Sequence, residues 1–264
     1  MLKAEKLFIT FNKKTPIETR ALQGISLHIP EGQFVTVIGS NGAGKSTFLN
    51  AIAGEILVDE GSIRIDDEDV TRKRSWQRAN KIARVFQDPM AGTCEDLTIE
   101  ENMALAYQRG SSRGLRFAVK NEMRELFKER LSILGLGLEN RLTDRIGLLS
   151  GGQRQAVSLL MATLQPSKIL LLDEHTAALD PRTAEFVLQL TARIVAEKKL
   201  TTMMVTHSMK QALEVGERTV MLHQGNIVLD VSGEERKNMT VQDLLHMFEK
   251  VRGEQVEDDA LLLG

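Results

Sequence analysis

The arrangement of one stretch constrains this chain more than any other. An apolar run, Gln33 to Ile38, empties directly into Gly39-Ser40-Asn41-Gly42-Ala43-Gly44-Lys45-Ser46, and a helical pattern then continues to Ala53 with Gly54 as its stop. From Phe34 to Ile38 only Thr36 is polar, the composition of a strand buried on both faces. The loop matches G-x-x-x-x-G-K-[ST] and has the strand before it and the helix after it that the motif requires. Its glycines let successive backbone N–H groups curl toward phosphates at a positive helix end. Lys45 is expected to reach the β- and γ-phosphates and the Ser46 hydroxyl to coordinate Mg²⁺, with Thr47 completing the binding segment. Such a chain is committed to an α/β layout.

The rest of the pattern agrees. Lys6 to Phe11 and Gly24 to Ile29 are short β-like runs, with Glu31-Gly32 as a turn after the second. Gly61 to Ile65 and Lys81 to Phe86 return to strand. From about Cys94 to Pro166 helical periodicity takes over, as in Lys120 to Leu134, where Met123, Leu126, Phe127 and Leu131 share a face. Arg109 to Gly114 reads as a flexible loop within this helical insertion. Ile169 to Leu172, a helix over Arg182 to Glu197, and Thr202 to Val205 then form a strand–helix–strand unit of a parallel sheet. A last amphipathic helix covers Val241 to Lys250, followed by a tail over 253–264 with an acidic stretch and three leucines.

Composition narrows the function. At 264 residues the chain can bury a proper core, and its net charge of −2 argues against a dedicated nucleic-acid binder. The basic segment Arg72 to Arg78 reads as a solvated helix face. No apolar run is long enough to span a membrane, and the N-terminus lacks a signal peptide's apolar core. Cys94 is the single cysteine, so no intramolecular disulfide forms; the chain reads as complete and cytoplasmic.

Two further motifs carry chemistry. The strand Ile169 to Leu172 delivers Asp173-Glu174 to the carboxyl edge of the sheet, where open α/β folds bind ligands. Asp173 is expected to hold Mg²⁺ through water, and Glu174, pointing the other way, to polarise an attacking water. Upstream, Leu149-Ser150-Gly151-Gly152-Gln153 opens a helix with an apolar stripe of Val157, Leu160, Met161 and Leu164, closed by Pro166. It offers N–H groups and a hydroxyl at a positive helix end, a second anion-binding surface.

Together with Ala178-Leu179-Asp180, these motifs resemble those of the ATP-binding-cassette ATPases, in that family's order and over nearly the whole chain. The resemblance implies a P-loop NTPase core with a mainly parallel sheet, an N-terminal antiparallel β subdomain and an inserted α-helical subdomain at about 94–166, all one ATPase domain over 1–252. Gln87 resembles the family's Q-loop glutamine, implied to contact Mg²⁺ and the attacking water. His207 resembles its switch histidine, implied to touch the γ-phosphate. Asp180 is implied to couple two sites. Phe11 is the residue expected to stack on adenine, by its distance from Ala21-Leu22; Phe8 competes, and a core role at a strand end is the plain alternative. His175 stands where the family commonly has proline, and is read as a structural variant without a part in proton transfer.

In the family the signature pentapeptide meets the γ-phosphate held by a second copy. The resemblance thus implies a head-to-tail dimer with ATP at the interface, and Ser150 and Gly152 nearly idle in the monomer. It further implies an ATPase that powers separate transmembrane permease subunits from the inner face of the cell membrane. Asp96 to Asn102 resembles importer-like members, pointing to amino acids or related small solutes and to an extracytoplasmic solute-binding protein. Export, or a soluble switch not engaged in transport, are the alternatives.

Overall fold

A computed structural model describes residues 1–110, 119 and 121–250. The insertion-loop positions 111–114 and the tail over 253–264 lie outside the described residues. The antiparallel sheet consists of β1 (Leu2–Phe11), β2 (Thr19–Ile29), β4 (Glu60–Ile65) and β5 (Glu68–Asp69), in the order β2-β1-β4-β5. The second sheet takes in β3 (Phe34–Gly39), β6 (Ile82–Val85), β7 (Ile169–Asp173), β8 (Thr201–Val205), β9 (Arg218–His223) and β10 (Asn226–Ser232). Its order is β10-β9-β3-β8-β7-β6, parallel throughout except for β10. The helices are α1 (Lys45–Ala53), α2 (Ser75–Arg78), α3 (Ile99–Tyr107), α4 (Asn121–Ser132), α5 (Gly151–Ala162), α6 (Pro181–Lys198), α7 (Met209–Glu214) and α8 (Gly233–Lys237), with one more over 241–250.

β1 is longer than the run Lys6 to Phe11 read from sequence, and the reason is a bulge. Leu2 and Ala4 face the core at even positions, Leu7 and Ile9 at odd ones; Lys6, with φ of 47°, absorbs the change of parity. An alternation that switches phase does not read as one strand.

The central strands are buried on both faces. Ile169 and Leu171 of β7 join a core shared with α1 and the antiparallel sheet, whereas Leu170 and Leu172 join a second core with α3 to α6. α1 lies within the first core, where Phe48, Leu49, Ala51 and Ile52 are fully buried. At about 25 cal/mol per Å² of apolar surface removed from water, such side chains stabilise the fold by roughly 1.5–3 kcal/mol each, which fixes the helix that begins at Lys45. α4 turns Phe127 and Leu131 inward as its spacing predicts, with Met123 and Leu126 partly buried beside them.

Two readings are corrected and one hairpin is added. The basic segment is not simply a solvated face: Arg78 is 1% exposed and donates to the carbonyls of Ala51 and Ile52, capping the C-terminus of α1. Burial pulls its guanidinium down to about 10. α5 ends at Ala162, before Leu164 and Pro166, and is buried nearly all round instead of along one stripe. The strand pattern also continues past Val205: β9 and β10 form a hairpin whose turn residues Gln224 and Gly225 both take positive φ.

Candidate functional site

β3, β8, β7 and β6 are neighbours running in one direction, so their C-terminal ends open on a single edge. They release Gly39, Thr206-His207, Glu174 and Phe86-Gln87 respectively. A cavity of about 550 Å³ lies over this edge, bounded by residues 41–47, Gln87, Glu174 and His207, with Phe11, Thr19 and Ala21 contributed by the antiparallel sheet. That volume suits a nucleotide-sized ligand.

The loop curls because glycine is required at its bends. Gly44 has φ of 99°, and a Cβ there would meet the Ala21 carbonyl at 2.6 Å; at Gly39 a Cβ would lie 2.2 Å from the Leu222 carbonyl. Lys45 folds back into the curl, its Nζ donating to the Gly39 and Ser40 carbonyls at 2.9 Å each. Burial lowers its pKa, an effect that the Glu174 and Asp173 carboxylates oppose. The ammonium is thereby held by two carbonyls of the loop it closes.

Asp173 and Glu174 leave β7 on opposite sides. Glu174 takes φ of 46°, donates its N–H to the Val205 carbonyl at 2.9 Å, and turns its carboxylate to the cavity. There Oε1 lies 2.7 Å from Nε2 of His207. The carboxylate is 8% exposed and the imidazole 47%, so the glutamate sits on the floor and the histidine at the mouth. Asp173 accepts from Nη2 of Arg84 at 2.6 Å and does not itself line the cavity, though its carboxylate acts on Lys45. Arg84 also forms an ion pair with Glu55 at 2.8 Å and lies 4.6 Å over the Phe86 ring.

The signature pentapeptide is placed elsewhere. Ser150 caps α5: its Oγ accepts from the Gln153 N–H at 3.3 Å, and Gln153 Oε1 accepts from the Ser150 N–H at 3.2 Å. The first amides of the helix, Gly151 and Gly152, have no intrahelical acceptor, and Gly151 is exposed whereas Gly152 is buried. Asp180 caps α6 in a similar way, accepting from the Thr183 N–H at 3.2 Å, with Pro181 next. Neither group lines the cavity.

Ser150 and Gly152 are not idle in the monomer, contrary to the sequence expectation. Ser150 is the cap just described. Gly152 is buried, and a Cβ on it would lie 2.0 Å from the Thr183 methyl, so the glycine is what lets α5 and α6 meet.

The structure therefore gathers Phe11, Asn41, Gly42, Ala43, Gly44, Lys45, Ser46, Thr47, Gln87, Glu174 and His207 around one cavity, with Gly39 and Ser40 beneath the lysine. Phe8, the competing aromatic, lines a different hollow. Arg84, Gln155, Thr183, Thr191 and Gln211 were not singled out from sequence. Gln155 donates to the Phe86 carbonyl at 3.0 Å, tying α5 to the segment before Gln87. Gln211 accepts from Thr176 and Thr206, bracing the turns after β7 and β8. The one available signal was a charged residue inside an apolar run, at Arg84; Gln155 follows Gln153-Arg154 and carries none.

No cage of three His, Cys, Asp or Glu side chains exists among the described residues. The Ser46 hydroxyl, Gln87 amide and Asp173 carboxylate are instead hard oxygen donors, and the second oxygen of Asp173 is left over by Arg84. This donor set fits Mg²⁺ carried in with phosphates.

Fold and site define a P-loop nucleoside triphosphatase with an inserted helical arm and a signature helix set apart from its phosphate loop. Comparison with known proteins specifies the family. Residues 22–177 match the family described as ABC transporter. The chain is 43% identical over 249 residues to the tyrosine transport ATP-binding protein of Clostridioides difficile, covering 94% of this chain and 99% of that one. It is 31% identical to the energy-coupling factor transporter ATP-binding protein EcfA2 of Clostridium tetani, covering 87% and 78%. It also superposes on the dimeric post-hydrolysis structure of the ATP-binding cassette MJ0796 bound to ADP and Pi, with TM-score 0.75 and 32% identity over 88% of this chain and 98% of that one. The chain belongs to the ABC transporter family, as an ATP-binding and ATP-hydrolysing subunit.

Proposed function

We propose that residues 1–252 form one ATPase domain that powers uptake of an amino acid, or a related small solute, through separate membrane permease subunits. Its cavity takes ATP with adenine against Phe11, phosphates in the loop at Lys45, and Mg²⁺ held by Ser46, Gln87 and, through water, Asp173. The metal would neutralise phosphate charge as the terminal phosphate departs. Glu174 orients and polarises the attacking water, and His207 holds that geometry from the cavity mouth.

A single observation carries the catalytic part: a nearly buried carboxylate and an exposed imidazole 2.7 Å apart, facing the loop that holds Lys45. The placement of Ser150 to Gln153 outside this cavity supports a head-to-tail dimer, in which each signature helix closes the nucleotide of the other copy and Asp180 links the two sites. Support for amino-acid uptake comes from the relative named for tyrosine transport, of which this chain covers 99%. On this reading the subunit works on the cytoplasmic face of the membrane, beside an extracytoplasmic solute-binding protein.

Two measurements test it. A Glu174→Gln variant should form an ATP-dependent dimer by light scattering; an ATP-loaded monomer, alone and with its permease partners, overturns the dimer. Cells lacking the chain should lose tyrosine or related amino-acid uptake, restored by the wild type and not by Lys45→Ala. Normal uptake in those cells overturns the import reading in favour of export or a switch outside transport.

A further inference from the structure

The backbone at Glu174 is held in the left-handed region, φ of 46°, where a non-glycine residue persists only if its surroundings over-determine it. Upstream, its own N–H is fixed to the Val205 carbonyl. Downstream the next side chain, His175, is 1% exposed and places Nε2 at 2.9 Å from Oγ1 of Thr191 on α6.

The direction of that bond follows from the neighbours. Thr191 donates its hydroxyl proton to the Val187 carbonyl at 2.8 Å, so it accepts from His175, whose Nε2 carries the hydrogen. Thr191 is itself fully buried. A proline at 175 would make no such bond.

We propose that His175 is a positioning residue for hydrolysis. Its bond to Thr191 anchors the left-handed turn that aims Glu174, and makes the aim of that carboxylate depend on where α6 lies. The other end of α6 is set by the signature helix, because Thr183 rests against Gly152. From Thr183 to Thr191 the helix is a rod of about 12 Å, long enough to carry a displacement without absorbing it. A shift of the signature helix thus reaches the carboxylate through Thr183, α6, Thr191 and His175 within one chain. The inference rests on the reading of Glu174 as the group that polarises water.

Replacing His175 directly risks a cavity beside the β7 turn, so the test is made on its partner. Thr191→Val keeps shape and removes the acceptor. Its kcat should fall roughly ten- to a hundredfold, the scale of a small misplacement of a reacting group, with KM for ATP unchanged. Thr191→Ser, which keeps the hydroxyl, should recover most of the rate. Adding Thr191→Val to His175→Asn should lower kcat no further than His175→Asn alone. A wild-type kcat in Thr191→Val, even with a lowered melting temperature, overturns the proposal; so does a loss that the serine variant fails to restore. Glu174→Gln is assayed in parallel: if it hydrolyses ATP normally, the underlying reading of Glu174 fails, whereas an inactive Glu174→Gln beside a normal Thr191→Val refutes the positioning role alone.

Discussion

Arg84 holds Asp173: the guanidinium Nη2 donates to Oδ2 at 2.6 Å across adjacent strands, and the two side chains are 11% and 14% exposed. The pair thus joins the residue proposed to bind Mg²⁺ to the strand that leads into Gln87, with the Phe86 ring beneath the guanidinium. Two opposite charges withdrawn from water in this way tolerate the loss of both partners better than the loss of one.

Arg84→Met should therefore lower the unfolding free energy by about 3 kcal/mol, because it strands the Asp173 carboxylate. Asp173→Asn in the same chain should return much of that loss, as the residual group is then neutral. Urea midpoints for the two single variants and the double variant complete the cycle. Additive losses would show that the pair contributes no coupling.

Gly152 makes a separate prediction about stability in the isolated chain. Gly152→Ala sets a methyl 2.0 Å from that of Thr183, so either the threonine rotates or α5 and α6 part. Overpacking of this kind costs about 1–3 kcal/mol. Thr183→Ala in the same chain should relieve most of it. A glycine that served only a phosphate on another subunit would leave the thermal midpoint of the monomer unchanged.

What the sequence disclosed and what it concealed divide along a physical line. The phosphate loop, Asp173-Glu174 and the signature helix were legible because each is contiguous and its spacing encodes local geometry: glycines at bends, a capping serine, an apolar strand ending in carboxylates. The parallel sheet followed from the strand–helix–strand order of Ile169 to Val205. Contacts between segments were not legible. Arg84 and Asp173 lie 89 residues apart, and His175 and Thr191 lie 16 apart. Neither pair has a periodicity to announce it. Gly152 was read only as part of an anion-binding helix end, whereas the structure displays a close approach to it by Thr183 of the same chain. Arg78 looked like one of several surface cations because charge patterning carries no information about a buried helix end.

Lys45 and Glu174 should separate binding from turnover. Lys45→Ala removes the cation that the loop surrounds and should weaken ATP binding itself. Glu174→Gln keeps the shape and the His207 contact while lowering basicity, so ATP should bind with near-normal affinity and turnover should fall by roughly two to four orders of magnitude. Equilibrium binding of a fluorescent ATP analogue, set against phosphate release, distinguishes the two. Equal loss of affinity in both variants would mean that Glu174 serves ground-state binding.

His175 predicts how stability depends on pH. Burial pushes its imidazole down to about 4, whereas in the unfolded chain it returns to the ordinary value of 6.5. Between those values the unfolded state binds the proton and the folded state does not, so stability must decline as pH falls. The contribution is fully present above about pH 6.5, lessens through the interval, and is exhausted below about pH 4. At about 1.4 kcal/mol per pH unit, lowering the pH from 7 to 4.5 should remove roughly 2–3 kcal/mol through this one group. Carboxylates titrate over part of the same range, so the quantity to measure is the difference between the wild type and His175→Asn, which lacks the proton site. Urea unfolding at both pH values should show the variant losing less stability than the wild type on acidification. Parallel losses in the two proteins would mean that the folded chain accommodates the protonated imidazole, contrary to its enclosure beside Thr191.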